Sequence, residues 1–251
     1  MDYLLEASQA LSNKHPIQDA LRHALRHKTG ECCGLFLHSE NRTWIDYNKL
    51  NNPSINCENY FFIDNNSFSK LYKQNLVFAL FHSHINCDHN LSNLDIEMSE
   101  SLGIPSVVYS LISKEFNLYY PLSYIPPPLK YRSFIPVFQD CITFVKDYFY
   151  FNFNIQLNKK IKNWFKPRNS FNESLLNIVE NNFDTTDKDI AKLEKGDVLV
   201  FPPSTFETMH VALYDNDQYI YHHPAFSYPT REFITPETLD KVYKVYRYKD
   251  L

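Results

Sequence analysis

The chain of 251 residues is 44% hydrophobic and 22% charged, the balance of a globular protein with room for one large domain or two of ordinary size. Its 25 Lys and Arg against 29 Asp and Glu leave a formal net charge of −4, which offers no basic field for nucleic acid and no polybasic membrane signal. With 4 Gly in all and neither GxGxxG nor GxxxxGK[ST], it lacks the glycine-rich cradle of a nucleotide- or dinucleotide-binding site.

Met1-Asp2-Tyr3-Leu4-Leu5-Glu6 has neither the basic segment nor the apolar core of a secretory signal. No apolar stretch approaches the roughly 18 residues that cross a bilayer. Cys32, Cys33, Cys57, Cys87 and Cys141 form an odd, scattered set without a CxxC pair. The expectation is reduced thiols and synthesis in a reducing compartment.

The first expected helix is Pro16–His27, where Ile17, Ala20, Leu21, Ala24 and Leu25 make one apolar stripe and Gly30 follows as a stop. Short β-like runs come next at Cys33–Leu37, Thr43–Tyr47 and Tyr60–Ile63. A helix at Ser67–Lys73 leads into the apolar run Leu76–Phe81, which has the character of a buried strand. Ser92-Asn93-Leu94-Asp95 reads as a capping box opening a helix to about Leu102, closed by Gly103. Strands at Ser106–Ile112 and Phe116–Tyr120 complete an α/β pattern.

Pro121 and Pro126-Pro127-Pro128 then mark a linker over 121–130, since proline joins neither a helix interior nor a central strand. Beyond it the order changes. Helices at Asp140–Phe151 and Ser170–Asn182 precede strands at Asp197–Phe201, His210–Tyr214, Tyr219–His222 and Lys241–Tyr248. That is the sequence of an α+β domain with helices packed on an antiparallel sheet. The expected organisation is an α/β domain with a mixed sheet over 1–120, the linker, and an α+β domain over 131–251.

The apolar strand ends in His82-Ser83-His84, and strand alternation puts both imidazoles on one side. Asp95 sits in the first turn of the next helix. Two imidazoles and a carboxylate are the ligand set of an open zinc site, in which a bound water reaches a pKa of about 7. Glu31 is the candidate base for that water, and Ser92 can donate to an oxyanion as well as cap its helix. The full spacing is Glu31 upstream, His82-x-His84, seven residues, then Ser92-x-x-Asp95. It resembles the JAMM (MPN-plus) metalloproteases, which implies zinc-dependent hydrolysis of an amide or isopeptide bond with His82, His84 and Asp95 as ligands.

Cys141 lies in the first turn of an expected helix, where amides and dipole favour thiolate. His210 begins one strand and His222 ends the next, and the turn at Asp215-Asn216-Asp217 sets these strands side by side. Asp140-Cys141, Leu193-x-x-Gly196-Asp197-Val198-Leu199, His210-Val211-Ala212-Leu213-Tyr214 and His222 occur in that order. Together they resemble the NlpC/P60 cysteine peptidases. The resemblance implies Cys141 as nucleophile, His210 as base and His222 as its orienter, with peptidoglycan stem peptides as substrate. His223 is expected to point the other way.

The two motifs in succession resemble the tail tip assembly protein K family of long-tailed bacteriophages. That resemblance implies a protein made in the host cytoplasm, a candidate for the virion tail tip, with other tail-tip proteins as partners. The rival from another class is a tail-tip component that uses both folds as docking surfaces, to which the 20 Phe and 18 Tyr would lend themselves.

Overall fold

The structure is a computed structural model that describes residues 16–39, 45–52, 61–63, 65–74, 76–135, 138–157, 175–176, 179–203, 209–225 and 227–249. The chain divides into two compact units, Met1–Tyr124 and Ile125–Leu251. No helix among the described residues is long and apolar enough to cross a membrane.

In the first unit, α1 (Pro16–Arg26) buries Ile17, Ala20 and Ala24, three members of the expected stripe. The sheet has the order β2-β1-β3-β4-β5, built from β1 (Cys33–His38), β2 (Ile45–Leu50), β3 (Val77–His84), β4 (Ser106–Ser110) and β5 (Phe116–Tyr119). The β3–β4 pair is parallel and the others are antiparallel, so the sheet is mixed. Every residue of β3 is buried, which explains its unbroken apolar run. Helix α2 (Asn65–Lys73) precedes β3, and α3 (Asn93–Leu102) crosses between β3 and β4. Ser92 caps α3 in a complete capping box with Asp95, and Gly103 ends it at φ 67°, a left-handed position suited to glycine. The strand expected at Tyr60–Ile63 does not form over 61–63; Tyr60 lies outside the described residues. There the Phe62 N–H donates to the Asn52 side chain, a local bond that replaces a ladder.

The second unit is a six-stranded antiparallel sheet of order β10-β9-β8-β7-β11-β6. Its strands are β6 (Phe183–Thr186), β7 (Val198–Phe201), β8 (His210–Asn216), β9 (Tyr219–His222), β10 (Thr230–Phe233) and β11 (Lys244–Tyr248). Helix α4 (Cys141–Phe153) packs on one face through Phe144, Val145 and Phe149 against Val198, Val200, Val211 and Leu213. The other face gathers Leu199, Ala212, Tyr214 and Ile220 with Ile234 and Leu239, near the short helix α5 (Pro236–Asp240). The helix expected over Ser170–Asn182 is seen at 175–176 and 179–182, and its remaining positions lie outside the described residues. The strand expected from Lys241 starts only at Lys244.

Two further features fix this unit. The Arg247 guanidinium grips the buried Asp197 carboxylate with two bonds, of 2.9 and 2.8 Å. Gly196, at φ 95°, lies so close to the Phe153 ring that a Cβ would meet it at 2.9 Å. The proline segment is held to this unit as well, because Arg132 donates to the Pro127 and Pro128 carbonyls and pairs with Asp147 at 2.6 Å.

Candidate functional site

In the first unit, β1 and β3 pair with Cys33 opposite His82. Continuing that register one step, Ser83 N–H donates to the Cys32 carbonyl and Cys32 N–H donates to Ser83 Oγ. One step further, Glu31 comes beside His84. The α3 cap brings Asp95 to the same place. His82, His84 and Asp95 are buried, with one ligand atom from each lying within 4.8 Å of the others. Asp95 Oδ1 is 3.2 Å from His82 Nε2, Asp95 Oδ2 is 3.7 Å from His84 Nε2, and the two Nε2 atoms are 3.1 Å apart.

His84 Nδ1 bonds the Asp88 carbonyl at 2.7 Å. It must donate there, which leaves the Nε2 lone pair facing His82 and Asp95. His82 stacks on Phe61 at 4.4 Å between ring centroids. Burial holds His82 below the ordinary imidazole range. Burial also works against His84, but the Asp95 carboxylate and Asp88 carbonyl outweigh it and leave that imidazole raised. Asp95 is buried too, yet its bonds to both imidazoles and to Ser92 take it well below the carboxylate range.

Convergent lone pairs around an ionised carboxylate fit a divalent cation of the zinc type. Glu31, 7% exposed, lines the same cleft, as do Ser92, Leu94 and Met98. Burial lifts its carboxyl to about 7, Asp95 adding to the rise and His84 opposing it. A carboxyl poised there can take and return a proton near neutrality. The Ser92 hydroxyl donates to Asp95 Oδ2 at 2.7 Å.

In the second unit, Asp140 caps α4 and accepts from the Ile142 and Thr143 N–H groups. Cys141 follows at the first helical position and is 5% exposed. The expected lowering of its thiol is not what the structure gives. Burial, with the Asp140 charge behind it, pushes the thiol up, and the backbone amides of Val211, Cys141 and Ile142 only partly offset that. Helix position favours thiolate, but desolvation of the charged sulfur is the larger effect here.

His210 and His222 are brought together, with His210 Nε2 2.8 Å from His222 Nδ1. Residue 212 stands opposite His222, so His210 is its diagonal neighbour on the same sheet face. The Val211 amide that reaches the sulfur is the next residue after His210. Burial takes His210 down to about 3, with His222 and His223 adding to the effect. At rest the thiol and both imidazoles are therefore neutral. His223 is buried against Phe134 and Phe144 and bonds the Ser227 carbonyl at 3.1 Å.

Two polar residues near these sites escape a reading of the sequence. Asp88 orients His84 through its backbone carbonyl, which carries no residue-type signal. Glu232, on an edge strand without clear patterning, lies 3.3 Å from His222 Nε2.

Residues 130–243 match the NlpC/P60 family model. No curated protein matches the chain. Among solved structures, one similar chain is a Desulfitobacterium hafniense protein determined in solution, at 20% identity, with 41% of this chain and 79% of that one covered and a TM-score of 0.32. Another is a crystal structure of an NlpC/P60 family protein from Bacillus cereus, at 14% identity, with 90% and 66% covered and a TM-score of 0.29. The family match spans Cys141, His210 and His222 in chain order, and on that ground residues 130–243 form an NlpC/P60 domain, of a family of cell-wall peptidase-type hydrolases.

Proposed function

We propose that the second unit is a cysteine peptidase acting on peptidoglycan stem peptides, and that the first is a zinc-dependent amide or isopeptide hydrolase. In this reading the protein serves a bacteriophage tail tip, in assembly within the host cytoplasm or in cell-wall penetration, beside other tail-tip proteins. The observation that carries the peptidase half is the NlpC/P60 match over 130–243, with Cys141 at the start of α4 and the His210–His222 bond inside it. The convergence of His82, His84 and Asp95 beside Glu31 supports the metal half.

The chemistry follows from the protonation states. Cys141 rests as a thiol, so His210 must take its proton as sulfur attacks the scissile carbonyl carbon. The amides at the start of α4 face the charge that develops. The same proton then passes from His210 to the leaving amine, and water, deprotonated by His210, releases the acyl group from sulfur. In the first unit His82, His84 and Asp95 would hold zinc, which supplies Lewis acidity and an activated water when bound. Glu31 would accept the proton of the attacking water and deliver it to the departing nitrogen.

A peptidoglycan zymogram with wild type and Cys141→Ala, with and without chelator, tests both halves. Clearing that is lost in Cys141→Ala and survives chelation is expected. No clearing by wild type would favour the docking role, which the neutral resting thiol also suits.

A further inference from the structure

The NlpC/P60 site has a fourth polar member that the Cys–His–His set leaves out. β10 pairs with β9 so that Thr230 stands opposite His222 and Glu232 opposite Ile220. Glu232 is thus the diagonal neighbour of His222 on one side, as His210 is on the other, and all three share one sheet face. The line of side chains runs across three adjacent strands. His222 Nδ1 meets His210 Nε2 at 2.8 Å, and His222 Nε2 lies 3.3 Å from Glu232 Oε1. That Nε2 is buried, and among the described residues it has no formed hydrogen bond. The nearby carboxylate is the acceptor positioned for it.

We propose that Glu232 is a positioning residue for the cysteine peptidase, a proposal that rests on the reading of Cys141 and His210 as its nucleophile and base. A carboxylate at His222 Nε2 holds the proton on that nitrogen and leaves Nδ1 bare. His222 Nδ1 must then accept, so His210 donates its Nε2–H. His210 Nδ1 is left with a lone pair, which is the atom that takes the thiol proton. As that proton arrives, the imidazolium charge is shared along the line and faces the Glu232 carboxylate. Among the described residues His223 also lies beside this pair, and it adds no negative charge. Glu232 is half-exposed on β10, so its replacement leaves the core intact.

The test uses the full chain with 15N-labelled histidine, read by long-range 1H–15N correlation. Wild type should show single tautomers, with Nε2 protonated and Nδ1 bare in both His210 and His222. Glu232→Ala should lose the single-tautomer signature at His222. In parallel, Glu232→Gln should slow iodoacetamide alkylation of Cys141 at pH 7 by about threefold, the scale of a solvent-screened ion pair. In a His222→Ala background the same substitution should change nothing. Nδ1-protonated His222 in wild type, a tautomer indifferent to Glu232, or equal slowing in the His222→Ala background would overturn the proposal. If His210→Ala leaves Cys141 alkylation unchanged, the peptidase reading fails instead, whatever the tautomer at His222.

Discussion

Ser92 donates twice to one oxygen of Asp95, from its hydroxyl at 2.7 Å and from its backbone N–H at 2.8 Å. The other Asp95 oxygen lies 3.2 Å from His82 Nε2. The capping box that starts α3 is therefore also the device that aims a candidate metal ligand. Stability of the helix start and geometry of the cluster are coupled through one carboxylate.

Metal content should follow the ligands. Protein expressed with zinc should carry one ion per chain by elemental analysis, His82→Ala should lose it, and Glu31→Gln should keep it while losing hydrolysis. Ser92→Ala should weaken zinc binding by about tenfold through the misaimed carboxylate and lower stability by about 1 kcal/mol through the lost cap. Zinc in His82→Ala at the wild-type level would remove the site.

Thiol reactivity should rank by burial. At pH 6.5 an ordinary thiol with a pKa of about 8.5 is roughly 1% ionised. Cys141 is buried with its thiol raised, whereas Cys87 is exposed. Limiting iodoacetamide should label Cys87 ahead of Cys141, and His210→Ala should slow Cys141 further. Cys141 labelled first in peptide mass spectra would mean that a thiolate is already formed at rest.

His23 gives the first unit an acid sensitivity. Burial lowers its pKa from 6.5 to about 4, and Tyr47 Oη bonds its Nδ1 at 2.7 Å. Between those values the unfolded chain binds the proton and the folded one does not. Stability is full above 6.5 and falls as pH drops toward 4. His23→Gln should flatten that slope by at most about 3 kcal/mol in urea titrations across the window. Glu31 acts in the opposite sense, losing its contribution as pH rises from 4.5 to about 7, so the wild-type-minus-variant difference is the quantity to read.

Gly34 should tolerate no side chain. A methyl at its Cβ position would overlap the Tyr47 ring, which packs on Phe36 and Phe81. Gly34→Ala should cost about 1–3 kcal/mol, seen as a lower urea midpoint. Because the cost is steric, Gly34→Ala/Tyr47→Ala should be less than additive. Strict additivity would mean that the ring moves aside.

Local chemistry made much of this protein legible from its residues alone. The α1 stripe, the apolar β3 run, the Ser92-x-x-Asp95 cap and the Gly103 stop each act within a turn or two of chain. Strand alternation likewise put His82 and His84 on one side, and a short turn set His210 beside His222. Only the tertiary structure decided what depends on distant neighbours. The edge strands β6 and β10 are short and polar, so pairing rather than pattern defines them. The Glu232 contact exists because β10 lies against β9 in one register. The protonation of Glu31 and Cys141 follows from how much water the whole fold removes from each group, and desolvation has no signature in local sequence.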